Sequence, residues 1–270
     1  MKNYRIAILM MLKDESDLAL PWVEYHGTVF GYENLFIYDN GSTDQSTISA
    51  VKFAHQKGAN CYFDKSTFED FKAKGDIFSA KIKELDAEGG FDFYFPLDCD
   101  EFLSAKLDDK FVFDLENISK ALKPYEKSPD QLKIGFCPTN HPNKASFFKN
   151  SASQRKFFFA QGSCQKLDHG FHHGITKTGI TVTTEIAYFH FHYRNFESIQ
   201  FHAKKKLSGF IENFETETVK AYRGSGFHLT QYLLQDKARY YSQFDSWECE
   251  YVPELIAEFD KLKIKPPFAN

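Results

Sequence analysis

An uninterrupted apolar run near the start of the chain, Ile6–Leu12, is the feature that most constrains the fold. A run of this kind predicts a central strand of a parallel sheet that is covered on both faces. It is much shorter than the roughly 20 residues of a transmembrane helix. Lys2 and Arg5 precede it as in a signal peptide, but Lys13-Asp14-Glu15 follows at once and no small-residue cleavage site appears. We therefore expect a buried strand and a cytoplasmic protein.

The segments after this run alternate between helical and strand patterns. Leu18, Trp22, Tyr25 and Val29 recur at helical spacing, and the same spacing predicts a helix over residues 76–87. Apolar segments at 34–38, 60–63 and 91–97 predict three more strands, and Asp44 is expected to cap the helix after the second strand. Alternation of this type predicts an α/β fold with a mostly parallel central sheet.

The second half of the chain has a different character. Residues 111–184 are irregular and interrupted by prolines, and we expect them to complete the sheet and to form loops. Helical spacing returns over residues 196–210, and further helices are expected near 228–244 and 253–262. The predicted organisation is a main α/β domain, residues 1–207, with a C-terminal helical extension, residues 208–270, packed on it.

Charge and cysteine usage exclude several classes of protein. The net charge is −4, which does not favour a nucleic-acid partner, and the basic run Lys204-Lys205-Lys206 is most simply a solvated helix face. The five cysteines contain no CxxC pair and their number is odd. This pattern disfavours a zinc ribbon or a disulfide framework and is typical of a reducing compartment.

Acidic clusters follow three of the predicted strands: Lys13-Asp14-Glu15, the turn over residues 39–44, and Asp98-Cys99-Asp100-Glu101. Ligands of parallel α/β sheets collect at the carboxyl ends of the strands. Asp98 and Asp100 could both reach one hard divalent cation through oxygen atoms. Taken alone, the Asp98–Asp100 motif or the turn over residues 39–44 could simply be a structural turn. The occurrence of acidic clusters at three strand ends is therefore the stronger indication of a ligand site.

Histidines form a second group of candidates. Five of the ten histidines fall between residues 169 and 192, and His190 and His192 are two apart on a predicted strand. They would share one face of that strand while Phe189 and Phe191 face the core. A neutral imidazole is a common metal ligand.

Taken together and in order, these motifs resemble the family-2-type glycosyltransferases. The similar subgroup has a second strand that ends in YDNGSTD and a metal motif that reads DxDEF, and it is related to family 92. The resemblance runs from the first strand to about residue 207. The residues that carry it are Lys13-Asp14-Glu15, Trp22-Val23-Glu24-Tyr25-His26, Tyr38-Asp39-Asn40-Gly41-Ser42-Thr43-Asp44, Asp98-Cys99-Asp100-Glu101-Phe102 and His192-Tyr193.

The resemblance implies a GT-A fold, which is Rossmann-like, and a nucleotide-sugar donor, with UDP as the expected nucleotide. It implies that Asp98 and Asp100 hold Mn²⁺ or Mg²⁺ and that His192 completes the site, with His190 as the runner-up. Asp39 would lie against the nucleoside. The full set of donor-contacting residues that it implies is Lys13, Glu15, Asp39, Asn40, Lys74, Gly75, Asp98 and Cys99.

The catalytic base has no clear counterpart in the motifs, and Asp168 is expected in that role with Glu185 behind it. The implied reaction is a single displacement with inversion, onto a saccharide or lipid-linked acceptor. Peripheral contact with the inner face of a membrane is compatible with such an acceptor. A metal-dependent hydrolase built on Asp98, Asp100, His190 and His192, and a non-catalytic sugar-binding module, are the alternative functions.

Overall fold

The computed structural model describes residues 2–151, 155–224 and 226–268 of the 270-residue chain. The strands are β1 (Ile6–Leu12), β2 (Leu35–Asp39), β3 (Asn60–Tyr62), β4 (Phe93–Pro96), β5 (Glu101–Leu107), β6 (Lys110–Val112), β7 (Gln131–Lys133), β8 (Pro138–His141), β9 (Lys144–Asn150), β10 (Phe157–Ala160), β11 (Lys166–Leu167), β12 (Gly174–Ile175), β13 (Thr181–Thr183), β14 (Ile186–His190) and β15 (Glu250–Tyr251). The α-helices are α1 (Ala19–Phe30), α2 (Gln45–Gln56), α3 (Phe68–Lys72), α4 (Lys74–Glu88), α5 (Leu115–Leu122), α6 (Phe196–Leu207), α7 (Thr216–Ala221), α8 (Thr230–Leu234), α9 (Lys237–Ser242) and α10 (Pro253–Leu262). Short 3₁₀ helices span Tyr32–Asn34, Lys123–Tyr125 and Phe227–Leu229.

The central strand β1 explains why its sequence is apolar throughout. Its side chains alternate between two cores: Ile6, Ile8 and Met10 face the core that contains α1 and α2, whereas Leu9 and Met11 face the core that contains α4. All seven residues of β1 are buried. A strand with cores on both faces has no position for a polar side chain, as the sequence predicted.

The main sheet has seven strands in the order β13-β7-β10-β4-β1-β2-β3. The four strands β4-β1-β2-β3 are parallel to one another, as the alternation predicted. The expectation of a mostly parallel sheet needs correction, because β10 is antiparallel to both of its neighbours and the sheet is mixed. Parallel strands need helical crossovers, which the first hundred residues supply, whereas β10 comes from the region of short strands.

A second sheet of six strands, in the order β15-β9-β8-β14-β5-β6, lies beside the first. Strand β5 follows β4 after a tight turn and pairs antiparallel with β14 from Ile186↔Ala105 to His190↔Glu101. His26 on α1 links the helix layer to this sheet. Its Nδ1–H donates to the carbonyl of Trp22 (2.9 Å), and the amide of Leu103 donates to its Nε2 (3.2 Å).

The C-terminal helices divide into two groups. Helices α6, α8 and α9 share a small core of their own that includes Ile199, Leu207, Tyr232 and Tyr240. Helix α10 returns to the main core, where Phe259 is fully buried. The boundary at residue 207 therefore remains a prediction. Within the described ranges, no helix is long and apolar enough to span a bilayer.

Candidate functional site

The three acidic strand ends lie at one edge of the main sheet, because β4, β1 and β2 are neighbours and parallel. The turns after β1 and β2 are joined by hydrogen bonds. The amides of Thr43 and Asp44 donate to the Asp14 carboxylate, each at 2.7 Å, and the Asp14 amide donates to Ser42 Oγ (3.1 Å). Asp44 also caps α2, as predicted, by accepting from the Thr47 amide. The meeting of these strand ends is therefore confirmed.

Asp39 and Asn40, at the end of β2, build the turn that follows them. Asp39 is buried and accepts from the Ser42 amide at 2.9 Å. Asn40 donates to the carbonyls of Lys65 and Thr67, each at 2.7 Å. Gly41 has a φ of +72°, and a Cβ there would lie 2.9 Å from the carbonyl oxygen of Ser66, so only glycine fits without strain. Nucleoside contacts by Asp39 and Asn40 remain predictions.

Asp98 lies between two lysines that come from distant parts of the chain. Lys74, at the start of α4, donates to Oδ1 at 3.0 Å, and Lys156, just before β10, donates to Oδ2. Lys156 also pairs with the buried Glu101 at 2.9 Å, and the Asp98 amide donates to Glu101 Oε2 at 2.8 Å. Burial alone would raise the pKa of the Asp98 carboxyl, but the two lysines outweigh burial and hold that pKa well below its usual range. Both oxygens of Asp98 are therefore already paired with cations.

Asp100 has a different set of neighbours. His190 Nε2 donates to Asp100 Oδ2 at 3.2 Å, and the rings of His190 and His192 lie 5.0 Å apart. Burial would raise the pKa of Asp100, but His190 outweighs burial and lowers it. Burial likewise opposes protonation of His190, yet Asp100 raises the His190 pKa well above 6.5. His192 differs, because burial and the charge of His190 lower its pKa to about 3.

Asp100, His190 and His192 present ligand atoms that all lie within 4.8 Å of one another. One carboxylate oxygen and two imidazole nitrogens suit Mn²⁺ or Zn²⁺ better than Mg²⁺, which prefers oxygen ligands. These three residues therefore fit a divalent metal. Asp98 fits it less well than the sequence predicted, because its oxygens are engaged by Lys74 and Lys156. The prediction that His190 and His192 share one face is confirmed, with Phe189 and Phe191 in the core.

Helix α6 crosses the strand ends and is held there by ion pairs. Glu15, 8% exposed, binds Arg194 at 2.8 Å and Lys206 at 3.2 Å, and Lys205 lies 3.2 Å from Asp14. The interpretation of residues 204–206 as a solvated helix face is therefore incomplete. Two of the three lysines balance strand-end carboxylates, since charges left unpaired beside a core are costly. Donor contact by Glu15 remains a prediction.

The other donor-contacting candidates have varied surroundings. Lys13 is exposed, whereas Cys99 is buried in the main core, where burial raises the pKa of its thiol well above the usual value. A Cβ on Gly75 would lie 2.5 Å from the carbonyl oxygen of Asp168, so glycine at this position allows α4 to pack against the hairpin β11–β12. This close packing explains why residue 75 is a glycine, which the sequence alone did not suggest.

The two residues expected as catalytic base are not among the metal-fitting residues. The Asp168 carboxylate accepts from the amides of Gly170 (3.2 Å) and His173 (2.8 Å) within its own hairpin. Glu185 is exposed, accepts from the Tyr125 hydroxyl at 2.6 Å, and precedes β14, whose far end carries His190. Five residues of strand separate Glu185 from His190 by roughly 16 Å. Both carboxylates thus have local partners, and their catalytic role remains a prediction.

Some residues of the site carry little signal in the sequence. Lys156 stands in the irregular region, and its only mark is that it directly precedes the apolar strand β10. Tyr232, whose hydroxyl lies 3.3 Å from His192 Nε2, comes from the helical extension, where no motif is visible. Arg194 follows the His-Tyr pair but has no motif of its own. The position of Lys156 directly before a buried strand was therefore the one sequence feature that could have pointed to any of these three residues.

No family model matches this chain, and no curated protein matches it. Among solved structures, it is similar to a crystal structure of S. aureus TarS, residues 1–349. The identity is 12% and the TM-score 0.37, and the match covers 89% of this chain and 73% of that chain. Values this low do not assign a function to the chain, so its function has to be inferred from the motifs and the geometry of the site.

Proposed function

We propose that the protein is a metal-dependent glycosyltransferase that moves a sugar from a nucleotide sugar, with UDP as the expected nucleotide, to a saccharide or glycolipid hydroxyl with inversion. The proposal is carried by the set Asp100, His190 and His192 at the edge where β4, β1 and β2 end. Three of the motifs that resemble those of family-2-type glycosyltransferases, at residues 13–15, 39–44 and 98–101, come from separate parts of the chain and follow the strands that end at this edge. A GT-A fold is part of the same proposal.

In this proposal Asp100, His190 and His192 hold the divalent ion, and the nature of the ligands favours Mn²⁺ over Mg²⁺. When bound, the ion would supply positive charge that stabilises the departing nucleoside diphosphate. Lys74 and Lys156 keep Asp98 ionised and fix the turn that carries Asp100. The ion pairs of Glu15 with Arg194 and Lys206 hold α6 and the residues before it at the end of β1.

The acceptor side of the proposal is supported by exposed aromatic and basic side chains. Phe201 on α6 is 69% exposed, Lys204 three residues later is also exposed, and Phe227 is 56% exposed. Aromatic and basic side chains together suit peripheral contact with a membrane surface. We therefore include a glycolipid acceptor, with the protein acting from the cytoplasmic face.

The deciding experiment is a donor screen with Mn²⁺ present, in which mass spectrometry detects transfer from a panel of nucleotide sugars to simple acceptors. We expect turnover with at least one UDP sugar, and loss of it in Asp100→Asn. Thermal unfolding with UDP and Mn²⁺ should show stabilisation, because ligands that bind only the folded state raise its melting temperature. If UDP, GDP and CMP each leave the melting temperature unchanged, the nucleotide-sugar proposal fails.

A metal-dependent hydrolase is the second candidate, because two imidazoles and one carboxylate also form the ligand set of some hydrolytic zinc sites. Such an enzyme would cleave phosphoesters without any acceptor sugar. The screen separates the two: release of free sugar or phosphate without a transfer product favours hydrolysis. Donor binding with no turnover of either kind would favour a non-catalytic sugar-binding module.

A further inference from the structure

His192 has a neighbour on the side of the ring that carries Nε2. The Tyr232 hydroxyl lies 3.3 Å from this nitrogen, and Tyr232 is 1% exposed. A ring nitrogen in a hydrogen bond with a phenol cannot bind a metal ion at the same time. Nδ1 is therefore the nitrogen of His192 that remains for a metal.

Tyr232 is held in place from several sides. Its carbonyl accepts from the Gln200 amide at 3.0 Å, which ties α8 to α6. Its ring packs edge-on against that of Tyr240, with centroids 6.0 Å apart. The hydroxyl of Tyr240 is not needed for this packing, because it donates to the Arg194 carbonyl at 2.6 Å. These contacts make the Tyr232 hydroxyl a fixed partner.

We propose that Tyr232 is a positioning residue for the metal centre. Nε2–H of His192 donates to the Tyr232 oxygen, so that Nδ1 keeps its lone pair and is available to the ion. Metal-binding histidines commonly donate their second ring N–H to such an outer partner, which fixes both tautomer and orientation. The inference rests on the proposed metal centre but not on sugar transfer, and it makes the helical extension part of that centre.

The test compares Tyr232→Phe with Tyr240→Phe, a matched change at a second buried tyrosine whose hydroxyl contacts a backbone carbonyl. Isothermal titration of each protein with Mn²⁺ alone measures affinity without any nucleotide. We expect Tyr232→Phe to weaken Mn²⁺ binding by about 10- to 100-fold, the usual effect of losing an outer partner. Tyr240→Phe should stay within about threefold of the wild-type affinity. Unchanged or tighter binding in Tyr232→Phe would overturn the proposal, because it would mean that the Tyr232 hydroxyl does not support the metal-binding form of His192.

A spectroscopic measurement separates this inference from the proposed function. Long-range ¹H–¹⁵N correlation spectra of the metal-free protein report which nitrogen of each histidine carries the proton. The wild type should show the Nε2–H form of His192, and Tyr232→Phe should shift it toward a mixture while Tyr240→Phe does not. If the wild-type protein binds no Mn²⁺, the metal-dependent function fails, and these spectra still decide the role of Tyr232. A His192 that carries its proton on Nδ1 in the wild type would refute that role.

Discussion

Asp98 and Asp100 are two residues apart on one turn, yet their surroundings differ in kind. Asp98 is bound by two ammonium groups, from Lys74 and Lys156. Asp100 is bound by the imidazole of His190, with His192 beside it. Lysine nitrogens are permanent donors at neutral pH, whereas imidazole nitrogens can release a proton and bind a metal. One carboxylate is thus suited to holding the turn and the other to holding an ion.

The comparison teaches that spacing in a motif fixes where carboxylates lie, while chain segments far away in sequence decide what each can do. Lys156 comes from the approach to β10, and His190 from the end of β14. Neither partner is visible from the two aspartates themselves. The following predictions test whether the two halves of this turn really differ.

The largest effect is expected from removing the buried cation of the Asp98 half. Lys156→Met leaves Asp98 and Glu101 without their shared partner, and breaking a buried ion pair from one side costs about 3–5 kcal/mol. Urea unfolding at pH 7 measures this loss. Lys204→Met, at an exposed lysine on α6, is the control and should change the free energy of unfolding by less than about 0.5 kcal/mol. A loss below 1 kcal/mol for Lys156→Met would mean that the lysine is not essential to the turn.

The Asp100 half is tested by metal affinity. Asp100→Asn removes the carboxylate ligand and should weaken Mn²⁺ binding by at least about 100-fold, since losing even an outer partner costs up to that much. Asp98→Asn should keep Mn²⁺ affinity within about threefold, because the lysines already occupy this side chain. Isothermal titration gives both values, and circular dichroism checks the fold. Equal losses in the two variants would show that Asp98 is a ligand after all.

The buried His26 gives a prediction of how the stability of the folded protein depends on pH. Burial lowers its folded-state pKa to about 3, so between about pH 6.5 and 3 the unfolded chain binds a proton that the folded protein does not. This contribution to stability is present above about pH 6.5 and is lost as the pH falls, by about 1.4 kcal/mol per unit. The gap in unfolding free energy between wild type and His26→Gln should therefore narrow from pH 6.5 to 5. His55→Gln, on the exposed face of α2, is the control, and a gap that stays constant for His26→Gln would refute the assignment.

The smallest effect is expected at the edge of the site. Lys205 is 36% exposed in its pair with Asp14, and surface pairs contribute about 0–1 kcal/mol. Lys205→Ala should lower the free energy of unfolding within that range, and 1 M NaCl should remove the difference from wild type. A loss above 2 kcal/mol would show that this pair contributes as much to stability as the ion pairs of the buried Lys156.

Elements with strong periodicity were predictable from the sequence. The bounds of β1 and α10 are as predicted, and β2, β3, β4 and α4 differ by one or two residues at their ends. The strands β7 to β13 were not predicted from the sequence, because segments of two to seven residues, most of them of mixed polarity, give no clear period. The antiparallel insertion of β10 depends on pairing partners, which local patterns do not encode.

The candidate site was predictable to a similar degree. The sequence identified Asp100 and both histidines, since carboxylates at strand ends and alternating histidines have simple geometric consequences. It did not identify Lys156 or Tyr232, because their contacts with the site residues are made only in the folded state. It also treated Asp98 and Asp100 alike, because the difference between them comes entirely from tertiary neighbours.

The place of β10 has a consequence for synthesis on the ribosome. In the described part of the main sheet, β7 meets β4 only through β10, although β7 precedes β10 by more than twenty residues. A nascent chain therefore completes β1 to β4 early but must hold β7 unpaired until β10 has emerged. Lys156 arrives with β10, so the acidic turn is neutralised at the same step. His190, His192 and Tyr232 follow later still, so the metal-fitting residues come together only after β10 and β14 have been made.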